Sequence, residues 1–319
     1  MAYTLSDAKQ LSQDKLTQDV IDEFRKTPLL DEMVFDDTAT SSGGQSLTYS
    51  YNRVTTQPGA GGRAINTEYT PDEAKTTQFH ANLVPFGGAF QVDRVLIKHE
   101  RQVIDLLTFQ LQQKIKATAA TFCDWFVNGD SAGNDFSFDG LDKALTGSST
   151  ERTPATVIDM STAAAIKSNW DVFLYEVQQV FALMDGTPDL MFVNATMYAV
   201  WQQVAMYATQ CQETRNEMGT PFVKFGATGI MKMGDKPGSS TPIIGNTTSG
   251  SDLVTDLYFS RIGLDALHGV SPDGQQGPTA YMPDLTAPGA VKKGEVEMVA
   301  AVALKATRAA GVLRGIKIG

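Results

Sequence analysis

A chain of 319 residues is long enough for one large domain or two modest ones. Its composition, 42% hydrophobic and 19% charged, is that of an ordinary globular protein, and no run reaches the roughly 18 apolar residues of a membrane span. The formal net charge of -10 argues against a protein that grips DNA or RNA, which needs a basic face.

The start, MAYTLSDAKQ, is polar and lacks the pattern of a signal peptide. Cys123 and Cys211 lie far apart, which excludes a cysteine zinc site and a disulfide framework. They read as two reduced thiols, one buried on a helix and one in a loop, as a reducing cytoplasm would leave them. Charge is uneven along the chain. Residues 1–45 hold nine acids and four bases, and residues 284–319 hold three acids and six bases. The two ends either attract each other, within or between chains, or are two ordinary solvated surfaces.

In chain order, Leu16, Val20 and Phe24 recur at intervals of four, with Ile21 beside them, and Pro28 ends that pattern. Ser41 to Gly44 reads as a hinge-like break. In QSLTYSYNRVTT, Leu47, Tyr49 and Tyr51 alternate with polar residues, the mark of a half-exposed strand. A Gly- and Pro-rich tip follows, then a second alternation in QFHANLVPF. The two strands pair as a long hairpin whose connection holds little that could form a core, so that connection is either functional or disordered. Gly87-Gly88 suggests another break before the strand AFQVDRVLI.

From Lys98 the period changes. Ile104, Leu107, Leu111, Ile115, Thr118, Phe122 and Phe126 are spaced by three and four, predicting a helix through Val127 of roughly thirty residues, about 45 Å long. Asn128-Gly129 predicts a left-handed stop. A turn and short helix in SFDGLDKALTG, an amphipathic helix over 169–185, a buried strand in DLMFVN and a helix in ATMYAVWQQVAMYA come next. That run predicts a mixed sheet covered by helices. Residues 222–285 read as strands and turns, and the last stretch as one or two terminal strands.

Catalytic patterns are absent. His80, His99 and His268 are scattered, with no metal or triad spacing. GAGGRA, Gly59 to Ala64, formally matches a relaxed dinucleotide fingerprint, but a polar-alternating strand precedes it and no helix opens after it. DSAGNDFSFDG has Ala132 at the third position of a would-be calcium loop and no closing Glu, so it reads as a solvated turn. No residues support an enzyme or a cofactor.

The order of parts carries a resemblance. A polar arm precedes a glycine-tipped hairpin, a strand and a very long helix ending in F-x-NGD, at Phe126, Asn128, Gly129 and Asp130, then F-x-GL at Phe138, Gly140 and Leu141. This resembles the major capsid proteins of tailed bacteriophages of the siphovirus type, with the Hong Kong 97-like fold.

The resemblance implies an α+β architecture. Residues 1–44 would be an N-terminal arm and 45–91 an extended loop lying over a neighbouring subunit. Residues 92–145 and 286–319 would form a peripheral domain with the long helix as its spine, and 146–285 an axial domain. Tyr49, Tyr51, Gly59, Gly61, Gly62, Arg63, Glu68, Asp72 and Glu73 would touch neighbours from the loop, and Leu16, Val20 and Phe24 from the arm. Leu107, Leu111, Ile115, Phe122, Trp125 and Phe126 would be the spine core.

The implied partners are further copies in hexamers and pentamers, a portal protein and a separate scaffolding protein, since no large region precedes the arm. A decoration or cement protein and weakly held packaged DNA complete the set, with no membrane. The implied location is the virion, assembled in the host bacterial cytoplasm. Some relatives crosslink a loop Lys to a C-terminal Asn. Here Lys75 is the sole lysine of the loop, and residues 285–319 contain no Asn. An encapsulin-like compartment holding enzyme cargo shares the implied fold; a soluble enzyme would instead be a monomer with a deep polar pocket.

Overall fold

The computed structural model describes residues 28–39, 46–99, 106–208, 211–215, 221–250 and 252–319. Leu16, Val20 and Phe24 of the arm lie outside them. Leu29–Glu32 forms a short helix, α1, and Phe35–Asp36 a two-residue strand, β1. Strands β2 (Thr48–Thr56) and β3 (Lys75–Asn82) make the expected antiparallel hairpin, with Tyr51 opposite Phe79. Strand β4 (Val84–Asp93) runs unbroken through Gly87-Gly88 into helix α2 (Arg94–His99). The expected break is missing because both glycines stay paired, Gly87 opposite Glu297 and Gly88 opposite Val296.

Helix α3 (Leu106–Asn128) carries the apolar stripe. It is followed by α4 (Leu141–Leu145), β5 (Glu151–Arg152) and α5 (Ala163–Leu183). Helix α5 starts six residues before the expected 169, because the Thr162 hydroxyl accepts from the Ala165 amide and caps it there. Strand β6 (Leu190–Val193) leads into α6 (Ala195–Tyr207), capped by Asn194 accepting from the Met197 amide. Then come β7 (Cys211–Arg215), β8 (Pro221–Phe225), β9 (Thr228–Lys232), β10 (Thr247–Ser249) and β11 (Asp252–Ser260). The chain closes with β12 (Leu267–Val270), β13 (Thr279–Tyr281), β14 (Val291–Leu304), a 3-10 turn at Thr307–Ala309 and β15 (Ala310–Lys317). Cys211, expected in a loop, opens strand β7; Cys123 is buried on α3 as expected, and burial pushes its thiol up to about 12.

These strands build two main sheets. In the first, β14 pairs with β4 over ten residues and with β13 and β12, and β1 joins β12 in parallel. The second runs β5-β15-β11-β6-β9-β8-β7, with β10 on β11 and parallel pairs at β6/β9 and β15/β5. The pleat of the second sheet sorts its side chains onto two faces. Met191, Val193, Leu257, Phe259 and Leu313 join one core with Phe173, Val177 and Val180 of α5 and Trp201 of α6. Phe192, Tyr258 and Val312 join the other core, around the end of α3.

The strand pairings cut across the boundaries drawn from the sequence. Residues 267–281, grouped with the axial part, pair with β14 in the first sheet, while β15, grouped with the peripheral part, pairs with β11 in the second. Strand β4, grouped mostly with the extended loop, is a long strand of the first sheet, and Leu29 and Met33, grouped with the arm, are fully buried in its core. Each strand goes where its apolar face finds cover, and alternation alone does not say which sheet that is.

Candidate intersubunit surface

The end of α3 fixes the subunit around the F-x-NGD and F-x-GL residues. Phe122 stacks on Phe86 of β4 and tilts against Phe35 of β1, and Phe126 meets Phe192 of β6 edge-on at 5.1 Å. The last turns of the helix therefore wedge between the two sheets. Gly129 is not left-handed, contrary to the expected stop. Its amide donates to the Trp125 carbonyl and its carbonyl accepts from the Gly140 amide, 2.9 and 2.8 Å. A Cβ on Gly129 would sit 2.2 Å from the Phe138 carbonyl oxygen, and one on Gly140 would sit 2.5 Å from that of Trp125. The motif thus exists for close backbone approach. Asn128 ties this knot to the loop after β9, donating to the Ile243 carbonyl and to Asp124. Lys143 closes it at the surface with Asp130 and Asp139.

Among the expected spine residues, Phe122 and Phe126 are wholly buried. Trp125 is half-buried, edge-on to Phe86 and Phe138. Leu107, Leu111 and Ile115 are also only half-buried, because the helix is enclosed at its C-terminal turns and lies open along its first half.

The hairpin base is seated on its own chain. Tyr49 and Tyr51, expected to touch neighbours, bond internally: the Tyr49 hydroxyl donates to Asp36 at 2.6 Å and the Tyr51 hydroxyl to the Leu304 carbonyl at 3.0 Å. Burial, with the Asp36 carboxylate, holds the Tyr49 phenol well above its ordinary range. Arg53 grips the turn between β14 and β15, donating to the carbonyls of Leu304 and Lys305 and to the Thr307 hydroxyl, and lies 4.3 Å over the Phe79 ring. Lys305 sits over the Tyr49 ring, and His268 meets that ring edge-on at 5.6 Å. Sequence reading missed Asp36, Arg53, His268 and Lys305. Arg53 and its acceptors are about 250 residues apart, so no local pattern links them.

Beyond this seat, residues 56–78 are exposed throughout. Contacts among them are local. The Gly59 amide donates to Asp72, the Arg63 guanidinium lies 5.3 Å over Tyr69 and donates to the Thr67 carbonyl, and Asn66 takes a left-handed φ of 68°. Gly59, Gly61 and Gly62 do not use positive φ, and space is open around Gly61 and Gly62. Glu68 and Glu73 face solvent. Two apolar side chains stand on this tip, Ile65 at 88% and Tyr69 at 63% exposure. A shallow cavity of about 360 Å³ lies under the hairpin base, lined by apolar and polar side chains including Tyr51, Phe79, Phe138, Lys143 and Leu304. Among the described residues no three His, Cys, Asp or Glu side chains group to hold a metal, and no helix is long and apolar enough to cross a membrane.

No family model matches the chain, and no curated protein matches it in sequence. Solved structures match along its whole length. It is similar to the holo-SrpI encapsulin complex of Synechococcus elongatus PCC 7942, with a TM-score of 0.65 and 12% identity, over 100% of this chain and 97% of that one. It is similar to the capsid of a native GTA particle, at 0.63 and 10%, over 96% of both chains. The capsid of the Myoviridae phage XM1 aligns at 0.59 and 12%, over 97% of this chain and 98% of that one. What is shared at such identities is the fold, which is α+β. It is the Hong Kong 97-like fold.

Proposed function

We propose that this chain is a major capsid protein that self-assembles, as hexamers and pentamers, into the icosahedral shell around a phage double-stranded DNA genome. The observation that carries this reading is the full-length likeness to phage capsid subunits. The exposed hairpin tip supports it, since among the described residues Ile65 has almost no cover and Tyr69 only that of Arg63, and a neighbour would supply more. The net charge of -10 suits a wall that must not hold packaged DNA tightly, because every phosphate contact adds affinity. On this reading the protein assembles in the bacterial cytoplasm, resides in the virion and works with a portal and a separate scaffolding protein. A cementing protein is a further partner, and the chain has no enzymatic role.

The likeness to an encapsulin favours a second reading, a compartment of the same fold that holds protein cargo. Negative-stain microscopy of the purified protein, followed by analysis of nuclease-treated particles, separates the readings. Closed shells are expected from the purified protein, and shells protecting DNA when the phage partners are present. Shells holding an enzyme instead support the compartment, and a monomer of 34.4 kDa under all conditions, phage partners included, contradicts both.

A further inference from the structure

We propose that His268 is the pin of an acid-released latch that holds the β2–β3 hairpin against the body of the subunit. The ring lies on β12, fully buried, and neither nitrogen makes a well-formed hydrogen bond among the described residues, with only the Gly263 backbone close enough to favour its proton. Tyr49 rests edge-on against it from the hairpin. The same Tyr49 hydroxyl is held by Asp36 of β1, and Lys305 of the β14–β15 turn stands 3.9 Å from that carboxylate. The histidine therefore forms the floor of the hairpin seat. While neutral it acts as an apolar plate. Once protonated it becomes a buried cation close to a second cation, which the Gly263 backbone alone does not compensate, and the seat opens so that water can reach it.

The charged and titratable groups around the ring come from four elements. Burial has the largest effect, and with Lys305 it resists the proton. Asp36, the Gly263 backbone and Asp265 favour it more weakly. Tyr49 faces it from β2 as a neutral phenol, since burial and Asp36 hold its proton. The balance pushes the His268 imidazole down from 6.5 to about 4. With the seated pKa below the open one, the open state takes up a proton that the seated state refuses. Seating is thus complete above pH 6.5 and weakens as pH falls toward 4, by up to about tenfold per pH unit. The bonds of Arg53 go to carbonyls and a threonine hydroxyl, which do not titrate there. Acid accordingly frees the Tyr49 end of the hairpin first. The latch belongs to the subunit, so it holds for either shell content.

Amide hydrogen exchange of the full-length chain tests this, corrected for the intrinsic pH dependence of exchange. Between pH 6.5 and 4.5, protection at residues 48–51 and 79–82 should fall by up to about 100-fold, ahead of residues 53–56. His268→Phe keeps the edge contact with Tyr49 but cannot be protonated, so its protection should stay flat. Asp36→Asn removes the competing carboxylate, and the pH dependence should persist. A flat wild-type profile, an unchanged pH response in His268→Phe, or its loss in Asp36→Asn would each overturn the latch. Should His268→Phe fail to fold, the imidazole resonance of His268 in the wild-type chain decides. A midpoint below pH 5 that tracks the loss of protection supports the latch, and an ordinary midpoint or no titration overturns it.

Discussion

At the end of α3 the carbonyls of Trp125, Val127 and Phe138 crowd Gly129 and Gly140 so closely that no side chain fits, whereas at the hairpin tip Gly61 and Gly62 face open space. The first region is enclosed by aromatic rings from both sheets. The second carries Ile65 and Tyr69 into solvent and makes only local bonds. Glycine serves backbone contact in one place and an uncommitted surface in the other. The contrast shows how one chain divides its work. The knot specifies the subunit, and among the described residues the tip packs against nothing beyond itself. Ordering each tip residue costs about 1–2 kcal/mol, which polar, exposed side chains cannot offset alone.

The largest effect on the subunit is expected at the knot. Gly129→Ala places a methyl group against two backbone carbonyls, neither of which can rotate away, and should cost about 3 kcal/mol or more. The variant should be recovered largely insoluble. A soluble Gly129→Ala protein melting near the wild-type temperature would break the comparison at its rigid end. One step down, Phe126→Ala should cost about 3–5 kcal/mol as a fully buried ring. Trp125→Ala should cost roughly half of that, since the half-buried indole loses less packing. Denaturant melts of the pair measure the difference, and equal losses would show that the rim of the knot is as closed as its centre.

Arg53→Ala lies at the border between the two regions. It should leave the global melt nearly intact while amide exchange rises through 51–56 and 75–79. A global loss of stability would place the hairpin base inside the subunit core. The smallest expected effect is none at all. Lys75 has no Asn acceptor in residues 285–319, so boiled particles should run on a denaturing gel as single subunits, and covalent ladders would contradict this.

Much of the framework was legible because periodicity and burial agree. The stripe ending at Phe122 and Phe126, the alternation that pairs Tyr51 with Phe79 and the buried strand around Phe192 all follow from local patterns. Membership in a sheet was less legible. Strands β14 and β15 are neighbours in sequence, yet they enter different sheets across the 3-10 turn that Arg53 grips. The NGD and F-x-GL residues stood out as a motif, but their reason, two glycines in mutual backbone contact, depends on a fold-back that spacing does not reveal. His268 gave no signal either. A lone histidine in a short apolar strand looks like any core residue until Tyr49, Asp36 and Lys305 are brought beside it.

Replacing residues 57–72 with a short Gly-Ser turn and imaging the product beside the wild-type protein tests the division between knot and tip most directly. The account predicts that both proteins give the same helical signal and melting temperature, and that only the wild type forms closed shells. Normal shells from the shortened chain would contradict the role assigned to the tip, and a shortened chain that cannot fold would contradict the separation of tip from core.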